Sequence, residues 1–134
     1  MEQIGRWDKG VVSDLSVLVG RTMVEVKTDG EELHMVGEDG TRARLYHEQD
    51  CCESVEIDDI TGDLDNLVGV PLLMAEMVES DDPPKEPYDE SHTWTFYKFG
   101  TVKGYVTVKW YGTSNGYYSE GVDVAIKFPC LEAD

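Results

Sequence analysis

The chain has 134 residues, 40% of them apolar and 10% aromatic, with a formal net charge of −17. That length suits one domain, 1–134, with a core of its own. The charge disfavours direct contact with nucleic acid or an acidic membrane.

No apolar run approaches the ~20 residues of a membrane helix, and the first residues lack the layout of a signal peptide. A soluble protein of the cytoplasm is expected. Of the 28 acids, fifteen lie between Glu48 and Glu90 against Lys85 alone, a local net charge of −14. Three cysteines, Cys51, Cys52 and Cys130, are too few for a disulfide framework, so at least one of Cys51 and Cys52 is expected in the core.

In chain order, Asp14 to Gly20 reads as a short helix or turn, capped by Asp14 or Ser13 and stopped by Gly20. Strands follow at Thr22 to Thr28, Glu32 to Val36 and Thr41 to His47, with Asp29-Gly30 and Asp39-Gly40 as hairpin turns. Glu53 to Asp58 alternates Val55 and Ile57 with polar residues and predicts a fourth strand. Asp63 to Gly69 repeats the earlier leucine, valine, glycine turn, and Pro71 to Val78 reads as a strand. The acidic, proline-rich segment 79–91 cannot support a ladder, so a mobile, solvated insertion is expected. Three more strands follow, His92 to Phe99, Val102 to Tyr111 and Gly121 to Phe128.

The predicted class is α+β, predominantly antiparallel β, with one or two short helices and pseudo-twofold duplicated β-hairpin units. Each half carries a glycine-ended turn, a strand, a hairpin, a strand end closed by a tyrosine, a polar loop and a glutamate-led strand. In the first half these end in Leu45-Tyr46 and Glu53 to Ile57. In the second they end in Trp110-Tyr111 and Glu120 to Val124.

Candidate chemistry concentrates in the polar loops. His47, Asp50, Cys51, Cys52 and Glu53 are all potential metal ligands, but adjacent cysteines diverge in a strand, and no metal or cofactor is predicted. His47 beside Cys51 or Cys52 could form a thiol and imidazole pair, yet no family signature surrounds them. A structural role is favoured, and no catalytic residue is assigned. Alternation places Trp94, Phe96, Val106, Val108 and Trp110 toward the core. It sends Thr93, Thr95, Tyr97, Tyr105, Thr107, Lys109, Tyr111 and Lys127 to the other face. Arg42, Arg44 and Tyr46 alternate likewise with Ala43 and Leu45. Cations and aromatics on such faces suit an anionic, planar ligand. The predicted binding residues are Arg42, Arg44, Tyr46, His47, Asp50, Tyr97, Lys109, Tyr111, Asn115, Tyr117 and Tyr118.

The strings Tyr46-His47-Glu48-Gln49-Asp50-Cys51-Cys52-Glu53, Trp94-Thr95-Phe96-Tyr97-Lys98 and Ser114-Asn115-Gly116-Tyr117-Tyr118-Ser119-Glu120 together resemble an uncharacterised domain family of bacteriophages and prophage-bearing bacteria. The likeness covers Leu18 to Ile126. It implies a small, mostly β, phage-encoded protein acting in the host cytoplasm, with no residue role to carry over. Anti-defence sequestration of a host nucleotide-derived signal is the leading expectation, with a small-molecule nucleotide as partner and a homo-oligomer as a further possibility. The alternative is an acidic decoy that mimics nucleic acid and blocks a DNA-binding defence protein. Hydrolysis of a signal through His47, Asp50 and Glu53 is a third.

Overall fold

A computed structural model describes residues 11–49, 52–80, 82–116 and 119–128. Nine strands are described: β1 (Val11–Val12), β2 (Met23–Thr28), β3 (Leu33–Gly37), β4 (Arg42–Tyr46), β5 (Ser54–Thr61), β6 (Met74–Ser80), β7 (Ser91–Thr101), β8 (Gly104–Ser114) and β9 (Asp123–Lys127). They form two antiparallel sheets, ordered β1-β9-β4-β3-β2 and β5-β8-β7-β6. The expected short helices are 3-10 turns, Leu15–Leu18 and Leu64–Leu67, so the described residues are β throughout apart from turns. Four residues give too few hydrogen bonds to propagate an α-helix.

The two turns are built alike. Asp14 accepts from the Ser16 N–H, and Asp63 accepts from the Asp65 N–H. Each turn ends two residues before a glycine with positive φ, Gly20 at 92° and Gly69 at 89°. The Gly20 N–H donates to the Leu72 carbonyl at 2.7 Å, and the Gly69 N–H donates to the Met23 carbonyl at 2.8 Å. These reciprocal bonds join the two sheets at the start of β2 and just before β6.

The sheets are also linked at their other ends, because two strands leave the sheet of their chain neighbours. β5 follows β4 in sequence yet pairs with β8, and β9 follows β8 yet pairs with β4. Between the sheets lies one apolar cluster, including Leu18, Leu33, Leu45, Leu67, Leu72, Phe99, Val108, Trp110 and Ile126, all fully buried. Each such side chain contributes about 1.5–3 kcal/mol of transfer free energy.

One predicted face is inverted. β7 pairs with β8 in a register that sets Thr95 opposite Trp110, Tyr97 opposite Val108 and Phe99 opposite Val106. Directly opposed residues share a face, so Thr95, Tyr97 and Phe99 point into the core, and Trp94, Phe96 and Lys98 point out. Tyr97 is 1% exposed, and its hydroxyl donates to the Val122 carbonyl. Aromatic residues occur in both phases of β7, so alternation alone did not choose between them.

The acidic connection between β6 and β7, expected to be a solvated insertion, is mostly exposed among its described residues. Its described residues are tied to the outer face of the second sheet. Trp94 Nε1 donates to the Pro83 carbonyl (2.9 Å), the Lys85 N–H donates to the Tyr111 hydroxyl (2.9 Å), and that hydroxyl donates to Asp89 (2.6 Å). His92 Nε2 donates to the Asp82 carbonyl at 2.7 Å, and Lys85 Nζ lies 2.6 Å from Asp58 on β5. Prolines lack donors, but this segment needs none for a ladder: indole, imidazole and phenol groups on the sheet satisfy its backbone.

Candidate functional site

Where the chain crosses between sheets, His47 leaves β4 and Glu53 leads into β5. His47 Nδ1 is 2.8 Å from the Gly121 carbonyl oxygen, and Nε2 is 2.6 Å from Glu53 Oε2. The two side chains are 3% and 0% exposed. A carbonyl can only accept, so Nδ1 donates to it, and Nε2 is taken up by the Glu53 carboxylate. No ring nitrogen is left to take a proton from a substrate. His47 is therefore engaged as a structural pin between the two crossings.

Gln49 Nε2 donates to the Glu53 carbonyl, and the Glu48 N–H donates to Asp123 at 2.9 Å. With Ser119, these residues line an open cavity of about 380 Å³. The two polar loops do meet here, but the cavity is walled by Glu48, Glu53 and Asp123, a poor setting for an anion. Asp50, Cys51, Tyr117 and Tyr118 lie outside the described residues. Cys52 is exposed rather than in the core and is disulfide-bonded.

The second crossing has a different pin. Glu120 is 9% exposed, accepting from Thr93 Oγ1 (2.8 Å) and Ser114 Oγ (2.6 Å). Burial by itself would raise its carboxyl pKa. Hydrogen bonds from Ser114, Ser91 and Thr93 outweigh burial and hold it below the ordinary value. Gly112 makes room for this crossing, since a Cβ there would fall on the Glu120 carbonyl oxygen.

The remaining predicted residues fall on two separate outer faces. Arg42, Arg44 and Tyr46 lie on the first sheet, where Arg44 stacks 3.5 Å from the centroid of Tyr46 and forms a forked pair with Glu32 at 3.0 and 2.9 Å. Lys109 and Tyr111 lie on the second sheet. Lys109 Nζ sits 4.5 Å above Trp94 and 5.9 Å from Phe96, and Trp94 packs on Tyr111 with centroids 4.3 Å apart. Asn115 is exposed in the turn after β8. Residues 82–90 cover Trp94 and Tyr111 from outside.

Trp94 and Phe96 are the members of this face that alternation missed. Lys98, two positions on and exposed, is the sequence signal that could have assigned the outward phase. Among the described residues no cluster of three or more His, Cys, Asp or Glu could hold a metal ion. No helix there is long and apolar enough to cross a membrane.

Fold and sites together define a two-sheet antiparallel β protein, pinned by a buried glutamate at each crossing and strapped by an acidic segment. A family model described as Domain of unknown function (DUF7448) matches residues 16–124, and the chain belongs to that family. No curated protein and no solved structure matches it.

Proposed function

We propose that the chain is a non-catalytic binding protein whose acidic face occupies the basic, nucleic-acid-binding surface of another protein. The observation that carries this reading is the attachment of the strap, Asp82 to Glu90, to His92, Trp94, Tyr111 and Asp58. A tethered strap holds Glu86 in the same neighbourhood as the Glu56 and Asp58 carboxylates of β5, all three acting on Lys85, without the ordering entropy of a mobile loop. Fixed carboxylates can stand in for phosphates and raise the encounter rate with a cationic partner. In a bacteriophage setting, which the sequence resemblance implies, the partner would be a DNA-binding host defence protein.

Sequestration of a nucleotide-derived signal is the second reading. Lys109 favours it, as a cation among Trp94, Phe96 and Tyr111 that makes no ion pair with the described residues. Against it, other cations are already engaged by carboxylates: Arg44 by Glu32, Arg21 by Asp39 and Lys85 by Asp58. A nucleotide would have to displace these contacts.

The architecture itself is proposed to be a duplication with exchanged fourth strands. The sheet orders β2-β3-β4-β9 and β6-β7-β8-β5 correspond strand for strand if β5 and β9 trade places. The matching 3-10 turns and the reciprocal Gly20 and Gly69 hydrogen bonds support that view.

The test is displacement. A fluorescent DNA duplex bound to a basic helix-turn-helix protein is titrated with the chain at increasing salt. Release of DNA at low salt, weakening as salt rises, is expected. Equal competition by a variant carrying Asp82→Asn, Glu86→Gln, Glu90→Gln, Glu56→Gln and Asp59→Asn would sink the acidic reading. Thermal shift with cyclic dinucleotides tests the second reading, and loss of any shift in Lys109→Ala is its expected signature.

A further inference from the structure

The four sheet edges differ in how open they are to another strand. β1 has two residues among those described. β2 is interrupted by a register shift between Met23 and Glu25, and β5 by one between Ile57 and Asp59. Short edges and bulges both discourage further pairing. β6 has neither device. Its seven residues pair with β7 without a shift, from Met74 opposite Gly100 to Ser80 opposite Trp94. Its other side ends the sheet; the turn Leu15–Leu18 packs against the strand, whose residues Glu76 to Glu79 stay exposed.

The same strand exposes apolar area between carboxylates. Met77 is 47% and Val78 42% exposed, and Glu76 and Glu79 flank them as exposed residues. Successive side chains alternate in face, so Glu76 and Val78 share the outer face while Met77 and Glu79 share the inner one. An added strand would therefore meet one carboxylate and one apolar side chain on each face. β6 also runs directly into the acidic strap, so the charged surface continues past its end.

We infer that β6 is a docking edge for an extended basic segment of the partner, which adds as a strand to the second sheet. Backbone ladder bonds supply affinity, and lysine or arginine facing Glu76 and Glu79 supplies selection. A second copy of the chain is a poor occupant, because pairing β6 with itself would bring two chains of charge −17 together along acidic strands. This inference rests on the proposed acidic binding role and gives that role a specific edge.

The probe is a nine-residue peptide of alternating lysine and valine, with a control of the same charge N-methylated at alternate residues in both registers. Amide hydrogen exchange across the chain is measured with each at matched salt. Slowed exchange within Met74 to Ser80, binding at least about 10-fold weaker for both N-methylated peptides, and a similar loss in Glu76→Lys/Glu79→Lys are expected. Equal binding of the methylated peptides overturns the inference. So does protection confined to the strap and β5, an outcome that leaves the acidic role standing. If no peptide binds while DNA displacement persists, strand addition is wrong and the acidic role is right; if both fail, both are wrong.

Discussion

His47 Nε2 lies 2.6 Å from Glu53 Oε2, joining the residue that leaves one sheet to the residue that leads into the other. The pair is buried, and the other ring nitrogen of His47 holds the Gly121 carbonyl at the end of the opposite crossing. Removing one partner strands a charge in the interior. Glu53→Ala should cost about 3–5 kcal/mol. Urea unfolding checks this, and a double-mutant cycle with His47→Ala should show strong non-additivity.

Tyr111 ties the acidic strap through both roles of its hydroxyl, accepting from Lys85 N–H and donating to Asp89. Tyr111→Phe should leave both groups to water and loosen residues 82–90 while the sheet stays folded. The expected readout is faster amide exchange at Lys85 and faster proteolysis within the strap, with a stability loss of about 1–2 kcal/mol. Unchanged exchange at Lys85 would contradict the tethering.

Alkaline pH acts on the same residue. Burial first, and then the hydrogen bond to Asp89, push the Tyr111 phenol up to about 12 from 10.0. A raised folded pKa means that the neutral phenol belongs to the folded state. Its contribution is complete below pH 10 and is lost as pH climbs toward 12. Thermal unfolding of the wild type should fall more steeply than that of Tyr111→Phe across this window. Tyr97, raised mainly by burial, should add a loss at still higher pH.

Acid works in the opposite sense. Glu120 is held below the ordinary carboxylate value of 4.5, so its contribution is present above that pH and disappears as pH falls through the depressed value. Protonation also relieves self-repulsion in a chain of charge −17, so the net stability change of the wild type mixes two effects. The difference between wild type and Glu120→Gln isolates one of them. That difference should be largest near neutrality and shrink below pH 4.5.

Gly112→Ala tests the second crossing by crowding rather than by charge. The added methyl would meet the Glu120 carbonyl oxygen, and backbone cannot swing aside as a flexible side chain can. A loss of about 1–3 kcal/mol is expected. An unchanged melting temperature would show that the crossing can move.

The strands were legible in sequence because each is a short run with glycine or aspartate punctuation, visible within a few residues. The 3-10 turns were legible too, as Asp14 and Asp63 followed by leucines and a glycine, though not their length as helices. Local patterns also located both polar loops and their glutamates. They could not tell that His47 is saturated on both nitrogens, since its acceptors are Glu53 and the distant Gly121.

The sequence by itself determined the antiparallel β character and the acidic middle. Only the tertiary structure decided which strands share a sheet, because β5 pairs with β8 and β9 with β4, partners far along the chain. Pairing also set the phase of β7, where Trp94 and Phe96 compete with Tyr97 and Phe99 for the same core. The strap was fixed by partners outside its own residues. Its prolines and carboxylates forecast a solvated loop, but only the fold brings Trp94, Tyr111, His92 and Asp58 near enough to tie that exposed loop to the sheet.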